Sequence, residues 1–419
     1  MKEDLIAGLD VGSTSVRLVV GQKNSGLAGE ELQIIGAVSS PTSGVSRGIV
    51  NSIEEATSSI SACLEKAERI VGVPISKVFV SINDPNVKCE VSKGVVAVSK
   101  SDGEINENDV ARAIEAAKAL AVPVNYEILH IIPIKYGVDN QFDVKDPIGM
   151  SGIRLEVEAL IVHCLTTQKN NLTKAIYRTG LDIEDLMLAP LATAEAVLTT
   201  KQKDLGVVLI NIGSSTTSIA VYEERNLVHA AVLPIGSDYI TNDVALGLRC
   251  PINLAERIKL EHGSTNPSAF EKNDEIDISD LVKQEEVSDD IKTISRHYVA
   301  EIIEARVEEI LEKVDDELKK IERSGMLPSG AVLTGAGAIL DGLVDTAKNK
   351  LRLPASLGTC KNVSAVIEKV KNPEFLTALG LVIAGLNQDF NTSEKKKFKV
   401  DFKSWISKGK KIIKKFKPN

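Results

Sequence analysis

The sequence predicts an α/β protein of two related lobes, with an α+β unit inserted into the first lobe and an amphipathic helix at the C-terminus. Three observations lead there. The run Leu9-Asp10-Val11-Gly12-Ser13-Thr14-Ser15 recurs as Ile210-Asn211-Ile212-Gly213-Ser214-Ser215-Thr216, an offset of 201 residues. At 419 residues the chain exceeds what one core usually serves, since domains run to about 100–200 residues. Its residues are 43% hydrophobic but only 4% aromatic, so the cores must be built from Val, Ile, Leu and Ala.

The first lobe is expected over 1–82 and 164–199. It opens with the β-run Leu5–Leu9, the Gly/Ser/Thr turn and the β-run Val16–Val20. An amphipathic helix follows over Val50–Val71, with Ile53, Ile60, Leu64 and Ala67 on one face. A strand is predicted at Val78–Ile82. The inserted unit, 83–163, carries β-runs at Gly94–Val98, Ile128–Ile134 and Leu155–Val162 and a helix Asn108–Ala121 capped by the Asn106/Asn108/Asp109 cluster. A helix over Thr167–Thr179 stops at Gly180.

The second lobe is expected over 200–250 and 296–386, with a smaller subdomain at 251–295. It repeats the hairpin, Val207–Ile210 and Ser218–Tyr222 around its own turn. An acidic, polar stretch, 266–290, reads as part of the small subdomain with a mobile loop. A long helix over Arg296–Arg323 keeps nine apolar residues from Val299 to Ile321 in register and ends at Gly325. Residues 387–399 read as a polar linker and 400–419 as the terminal helix.

Composition excludes a disordered chain, a collagen-like fibre and a disulfide-rich scaffold. The longest nearly apolar stretch, Leu376–Leu386, is about half of what a membrane span needs. Lys2, Glu3 and Asp4 open the chain, so no signal peptide is expected. Five scattered cysteines without a CxxC pair suggest a reduced cytoplasmic protein with no zinc site. The net charge of −8 conceals an asymmetry: 395–419 holds eleven lysines against Asp401 alone, which leaves −18 on the remainder. That suggests a C-terminal anchor or address and disfavours nucleic acid as a partner, because the acidic body would repel phosphates.

A tight turn of Gly and Ser/Thr lets backbone N–H groups and hydroxyls converge on phosphate oxygens. The two copies, Gly12, Ser13, Thr14 and Ser15 and then Gly213, Ser214, Ser215 and Thr216, are therefore candidate phosphate-binding residues. Asp10 and Asn211 stand at the position where a carboxylate could hold Mg2+, with coordination through water because that ion gives up its water reluctantly. The strand-turn segment Gly330–Ala338 offers the flat backbone of Gly335, Ala336 and Gly337 to an adenine ring or α-phosphate; a purely structural strand-to-helix turn looks similar. Glu256 and Lys259, at i and i+3 of a helix, suit ribose hydroxyls and a base; taken without the other nucleotide motifs, the pair reads rather as a solvated ion pair.

The order of these segments, together with Leu191–Ala196 and Thr377-Ala378-Leu379-Gly380-Leu381, resembles the actin/Hsp70/sugar-kinase superfamily. The runs Ser46–Val50, Glu127–Pro133, Asp146–Gly152 and Ile240–Ala245 narrow the resemblance to FtsA, the family of actin-like bacterial cell-division proteins. The resemblance implies a two-lobed actin-like ATPase fold in which the inserted unit (1C) replaces the usual 1B. The lobes would be 1A and 2A, and the small subdomain 2B. It further implies ATP and Mg2+ between the lobes and self-association into filaments. The location would be the cytoplasmic face of the cell membrane at the division site, as a peripheral membrane protein. The expected role is tethering the tubulin-like protein FtsZ through its C-terminal tail and helping to recruit other division proteins. The FtsZ contact is expected near 250–300, where Arg296 could meet a carboxylate of the partner or else pair internally with Asp289 and Asp290. One departure bears on catalysis. The family commonly has Asp where Asn211 stands, and Asn lacks the charge that would orient magnesium or polarise water, so ATP turnover is expected to be slow at most.

Independently of any family, Phe402, Trp405, Ile406, Ile412, Ile413 and Phe416 fall in one sector at about 100° per residue, flanked by lysines. That is the pattern of a helix lying in an anionic membrane surface; a helix docked on its own domain, or a calmodulin-type target, shares it. Two other functions compete. A small-molecule kinase would need an acidic base, which Asn211 weakens, and has no use for a basic anchor. A pilus-assembly scaffold of related fold would lack that anchor.

Overall fold

The computed structural model describes residues 5–394 apart from 27–28, 100–102, 120–121, 286–291, 361–363 and 366. Strands β1 (Leu5–Val11) and β2 (Ser15–Gly26) form the first hairpin, and β3 (Gly29–Pro41) returns antiparallel to β2. A small ribbon, β4 (Val45–Ser46) and β5 (Ile49–Val50), leads into α1 (Ile53–Val71), then β6 (Lys77–Ile82) parallel to β1. The Ser52 hydroxyl accepts from the Glu55 N–H at 3.4 Å and caps α1. Ala56, Ile60, Cys63, Leu64 and Ala67 are buried on its inner face, the spacing of a helix laid on a sheet.

The inserted unit is β7 (Lys88–Ala97), α2 (Glu107–Lys118), β8 (Tyr126–Val138), β9 (Gln141–Val144) and β10 (Arg154–Leu165), its sheet ordered β7-β10-β8-β9. Asn106 caps α2 through a reciprocal capping box with Asp109. The chain re-enters lobe one through α3 (Thr166–Tyr177), β11 (Asp182–Leu188) parallel to β6, α4 (Ala189–Val197) and α5 (Thr200–Leu205).

Lobe two begins with β12 (Val207–Ile212), β13 (Thr217–Glu223) and β14 (Asn226–Leu233), followed by α6 (Ser237–Leu248) and α7 (Ile252–His262). The small subdomain adds β15 (Glu275–Asp277), α8 (Ser279–Gln284) and β16 (Thr293–Ser295) before the long α9 (Arg296–Lys320). Then come β17 (Ala331–Thr334), α10 (Leu343–Leu351), β18 (Ala355–Leu357), β19 (Ser364–Ala365) and α11 (Leu376–Glu394). The acidic stretch read as partly mobile thus holds regular structure through Gln284, and residues 286–291 lie outside the described residues.

The sheets of the two lobes correspond strand for strand. Lobe one runs β11-β6-β1-β2-β3, with β19 added at its edge, and lobe two runs β18-β17-β12-β13-β14. In both, an antiparallel three-strand meander is extended by two parallel strands. The repeat of 201 residues is therefore a repeat of the fold.

Helices α4 and α11 cross where the lobes join. A Cβ on Gly380 would lie 1.8 Å from the Ala192 carbonyl oxygen, and one on Gly8 would lie 2.3 Å from that of Ala378. Missing side chains let α11 press on α4 and on β1 at once. Helix α11 also runs on to Glu394, through most of the stretch read as a linker over 387–399. The rest of that linker and the terminal helix, with Phe402, Trp405, Ile406, Ile412, Ile413 and Phe416, lie outside the described residues. Among the described residues no helix is long and apolar enough to cross a membrane.

Candidate nucleotide-binding site

The two hairpin turns have one geometry. The Gly12 N–H donates to the Ser15 carbonyl at 3.1 Å, and the Gly213 N–H to that of Thr216 at 2.9 Å. They meet across the cleft, where the Thr14 hydroxyl donates to the Ser214 hydroxyl at 3.4 Å. The N–H groups of Ser13, Thr14, Ser214 and Ser215 have no protein acceptor among the described residues. Two pairs of uncommitted backbone donors on facing turns are suited to phosphate oxygens.

Neighbouring residues brace the turns. Gly48 N–H donates to the Ser13 hydroxyl at 3.2 Å, from a loop in which Gly48 has φ +74°. A Cβ there would lie 1.8 Å from the Asn83 carbonyl oxygen, so glycine is required. Asn83 in turn donates from Nδ2 to Thr216 Oγ1 at 2.7 Å, reaching from lobe one to lobe two. Ser215 donates to Asp238 at 2.8 Å.

Asp10 accepts from the Ser81 hydroxyl at 2.6 Å. Burial raises its pKa above the ordinary carboxylate value, opposed by the Arg17 guanidinium and the Ser81 hydrogen bond. A carboxylate held in that state gains from a nearby cation. Asn211, in the equivalent place, donates from Nδ2 to Thr377 Oγ1 at 3.4 Å, and Thr377 shares a 2.9 Å hydrogen bond with Thr193. An aspartate could not make that donation. Among the described residues no group of three Asp, Glu, His or Cys side chains converges as a direct metal site.

The remaining candidates line a cavity of about 340 Å³ in lobe two: Glu256, Lys259, Ala336 and Gly337 are on its wall, with Ser237 and Phe270. It joins the second turn through Ser237, whose N–H donates to the Gly213 carbonyl at 2.9 Å. Gly335, at φ +88° and ψ 166°, sits so close to the sheet that a Cβ would lie 2.4 Å from Ile212 O and Asn211 Oδ1. Lys259 is only 4% exposed; its ammonium pairs with Glu256 at 2.6 Å and donates to Thr241 Oγ1 at 2.8 Å. Lys259 is thus a buried, braced cation, while the side chain of its partner Glu256 stays 40% exposed. Asp238 completes the group: burial raises its pKa, opposed by the Ser215 hydrogen bond and the Lys259 charge, while Glu256 raises it further.

The structure gives Arg296 a neighbour that the sequence reading did not name. Arg296 lines this same cavity, and its guanidinium carbon lies 4.4 Å from the centroid of the Phe270 ring. It is half-buried in the wall of that cavity. Asp289 and Asp290, the internal partners that the sequence offered it, lie outside the described residues.

The chain and its fold have counterparts among known proteins. Residues 208–380 match the family profile for cell division protein FtsA, and 85–163 match the SHS2 domain inserted in FtsA. The cell division protein FtsA of Borreliella burgdorferi is 35% identical over 408 residues, 97% of this chain and 97% of that protein. The chain belongs to the FtsA family. FtsA of Pseudomonas aeruginosa is 34% identical over 92% of the chain and 90% of its own length, and FtsA of Escherichia coli K12 is 29% identical over 96% of each. Among solved structures, the PilM-PilN type IV pilus biogenesis complex aligns with a TM-score of 0.63 at 16% identity, covering 91% of this chain and 98% of that one. MreB5 of Spiroplasma citri bound to ADP aligns at 0.54 and 11% identity, over 93% and 98%. These likenesses establish the actin-like fold.

Sequence reasoning missed Asn83, Asp238, Thr241 and Phe270. Their partners stand 15 to 133 residues away in the chain, as with Thr241 and Glu256 or Asn83 and Thr216. A signal was present for Asp238, which follows the Pro-Ile-Gly-Ser turn after β14.

Proposed function

We propose that this FtsA-family protein is an ATP-binding scaffold of the division ring that attaches peripherally to the cytoplasmic face of the membrane, tethers FtsZ and assembles into filaments. The observation that carries the nucleotide is the approach of two matched turns, Thr14 to Ser214, over four N–H donors without a protein acceptor among the described residues. The residues suit the ligand on further grounds. Thr334 Oγ1, Thr217 Oγ1 and Ser218 Oγ beside the cleft are buried without a partner among the described residues, and Gly335 leaves no room for a side chain. Gly12 to Ser15 and Gly213 to Thr216 would take the phosphates; Glu256, Lys259 and Gly335 to Gly337 would take the nucleoside. Asp10 would hold Mg2+, through water, opposite Asn211. When bound, that ion would screen the phosphate charge.

The membrane contact rests on the terminal apolar stripe and its lysines, which support reversible binding of one tail and firm binding of a filament presenting many. FtsZ contact, and recruitment of other division proteins, rest on analogy with the family; the small subdomain is the proposed face for the FtsZ tail. The test is flotation of the full chain with anionic liposomes, ATP, Mg2+ and FtsZ. Co-flotation of FtsZ, lost in a chain ending at Lys399, supports the reading. Equal flotation of the shortened chain would refute the anchor, and a floating chain that leaves FtsZ behind would refute the tether.

A further inference from the structure

We propose that Arg296 and Phe270 form a stacking platform that recognises the base of the bound nucleotide. This deepens the nucleotide reading above and rests on it.

The guanidinium lies over the Phe270 ring at 4.4 Å, and both residues line the cavity that also holds Glu256, Lys259 and Gly337. A planar guanidinium has two faces. With one on the ring, the other can pair with a second π-system, and a purine is the nucleotide component that supplies it. Among the described residues no carboxylate forms an ion pair with this cation, and its buried Nε has no acceptor. Leaving a buried donor unpaired is costly unless an acceptor in the plane of the guanidinium meets it; a ribose oxygen of a nucleotide stacked on its face can.

The platform is held in place by its neighbours. The Ser295 hydroxyl accepts from the Tyr298 N–H at 3.3 Å and caps α9, so Arg296 is the first residue of a long, fixed helix. Its own N–H donates to the Asp274 carbonyl at 2.9 Å. The next residue, His297, contacts the carbonyl oxygens of Pro267 and Phe270 through Nδ1 at 3.0 and 3.2 Å. Adjacent residues of α9 therefore tie down both the cation and the loop carrying the ring. Such an arrangement serves a planar ligand better than it serves a flexible peptide carboxylate, which would draw the guanidinium out of its stack.

The experiment is calorimetric titration of the full chain with Mg-ATP and with ribose 5-triphosphate, which has no base. Arg296→Ala is expected to lower ATP affinity by about tenfold, the effect of losing one stacking partner, and to leave ribose 5-triphosphate affinity unchanged. Arg296→Lys, which keeps the charge and loses the planar fork, is expected to lose most of the same affinity. Phe270→Leu, which keeps apolar bulk under the guanidinium, is expected to cost about threefold on ATP alone. Unchanged ATP binding in Arg296→Ala would overturn the proposal. So would equal losses for both ligands, which would make Arg296 a phosphate-directed charge. A wild-type chain that binds neither ligand would fail at the nucleotide reading itself, a result separable from these. Should Arg296→Ala fold poorly, by its melting curve, the Lys and Leu variants carry the same discrimination.

Discussion

Replacing Gly335 by alanine tests the closeness of the turn after β17 to the central sheet. At φ +88° and ψ 166° the residue occupies a region that side-chain-bearing residues essentially avoid, at a cost of about 1–3 kcal/mol. The added Cβ would also lie 2.4 Å from Ile212 O and from Asn211 Oδ1. The Asn side chain can turn aside, but Ile212 O belongs to β12, whose Asn211 is in register with Thr334 just before the glycine. Relief requires shifting a central strand, and overpacking of that kind costs about 1–3 kcal/mol. Together the two effects give about 4 kcal/mol. With an unfolding entropy of about 2.1 cal/mol/K per residue, that lowers Tm by about 4–5 °C if the 419-residue chain melts as a unit. Calorimetry should show this, with ATP affinity reduced in parallel. Gly72→Ala is the control: it has φ +80° but nothing within 4 Å of its Cβ, so it bears the backbone strain alone, about 1–2 kcal/mol. Should Gly335→Ala melt no lower than Gly72→Ala and bind ATP normally, the close approach of turn and strand would be wrong.

Asn211→Asp would place a carboxylate at the counterpart of Asp10, and phosphate release from ATP should rise by roughly tenfold or more; an unchanged rate would locate the limitation elsewhere. Burial pushes the His130 imidazole down to about 4, and its Nε2 accepts from the Leu188 N–H at 3.0 Å. The neutral ring is the one that fits, so its contribution is intact above the unfolded value of 6.5 and is lost as pH falls toward 4. Between pH 7 and 5 the wild type should lose roughly 2 kcal/mol in denaturant titrations that His130→Gln does not lose; parallel losses would remove His130 as the cause. Trp405→Glu places a charge in the apolar stripe and should release the monomer from anionic vesicles in flotation, where wild-type binding weakens with salt but persists. Complete release of the wild type by salt would instead mark a purely electrostatic tail.

Much of the architecture is legible in local pattern. The Gly-Ser-Thr turn between two β-runs at residues 9–16 and 210–217 is dictated by neighbours in the chain, and its repetition announces two like lobes before any contact is known. The same holds for α9, where Val299, Ile303, Val307, Ile310, Leu311, Val314 and Leu318 recur at helical spacing and prove buried. The span of α11 was less legible, because Asn387 to Glu394 is polar and carries no apolar period. Backbone hydrogen bonding inside a helix needs none, and the helix continues to Glu394.

The site divides along the same physical line. Glu256 and Lys259 could be paired from their spacing on one helix, since i and i+3 side chains meet wherever the helix goes. Whether the lysine is wet or buried depends on Thr241 and Ser237, which reach Lys259 from α6, and no local rule supplies that. Arg296 makes the point most sharply. Its charge and its place at a helix start are evident in the chain, and both suit an outward contact with a partner protein. Its actual environment is set by Phe270, 26 residues earlier, and by a cavity whose other walls come from residues near 256 and 336. A side chain's type and its local backbone follow from short-range sterics and hydrogen bonding, whereas burial, pairing and the direction a charge faces are sums over contacts that exist only once the lobes have packed.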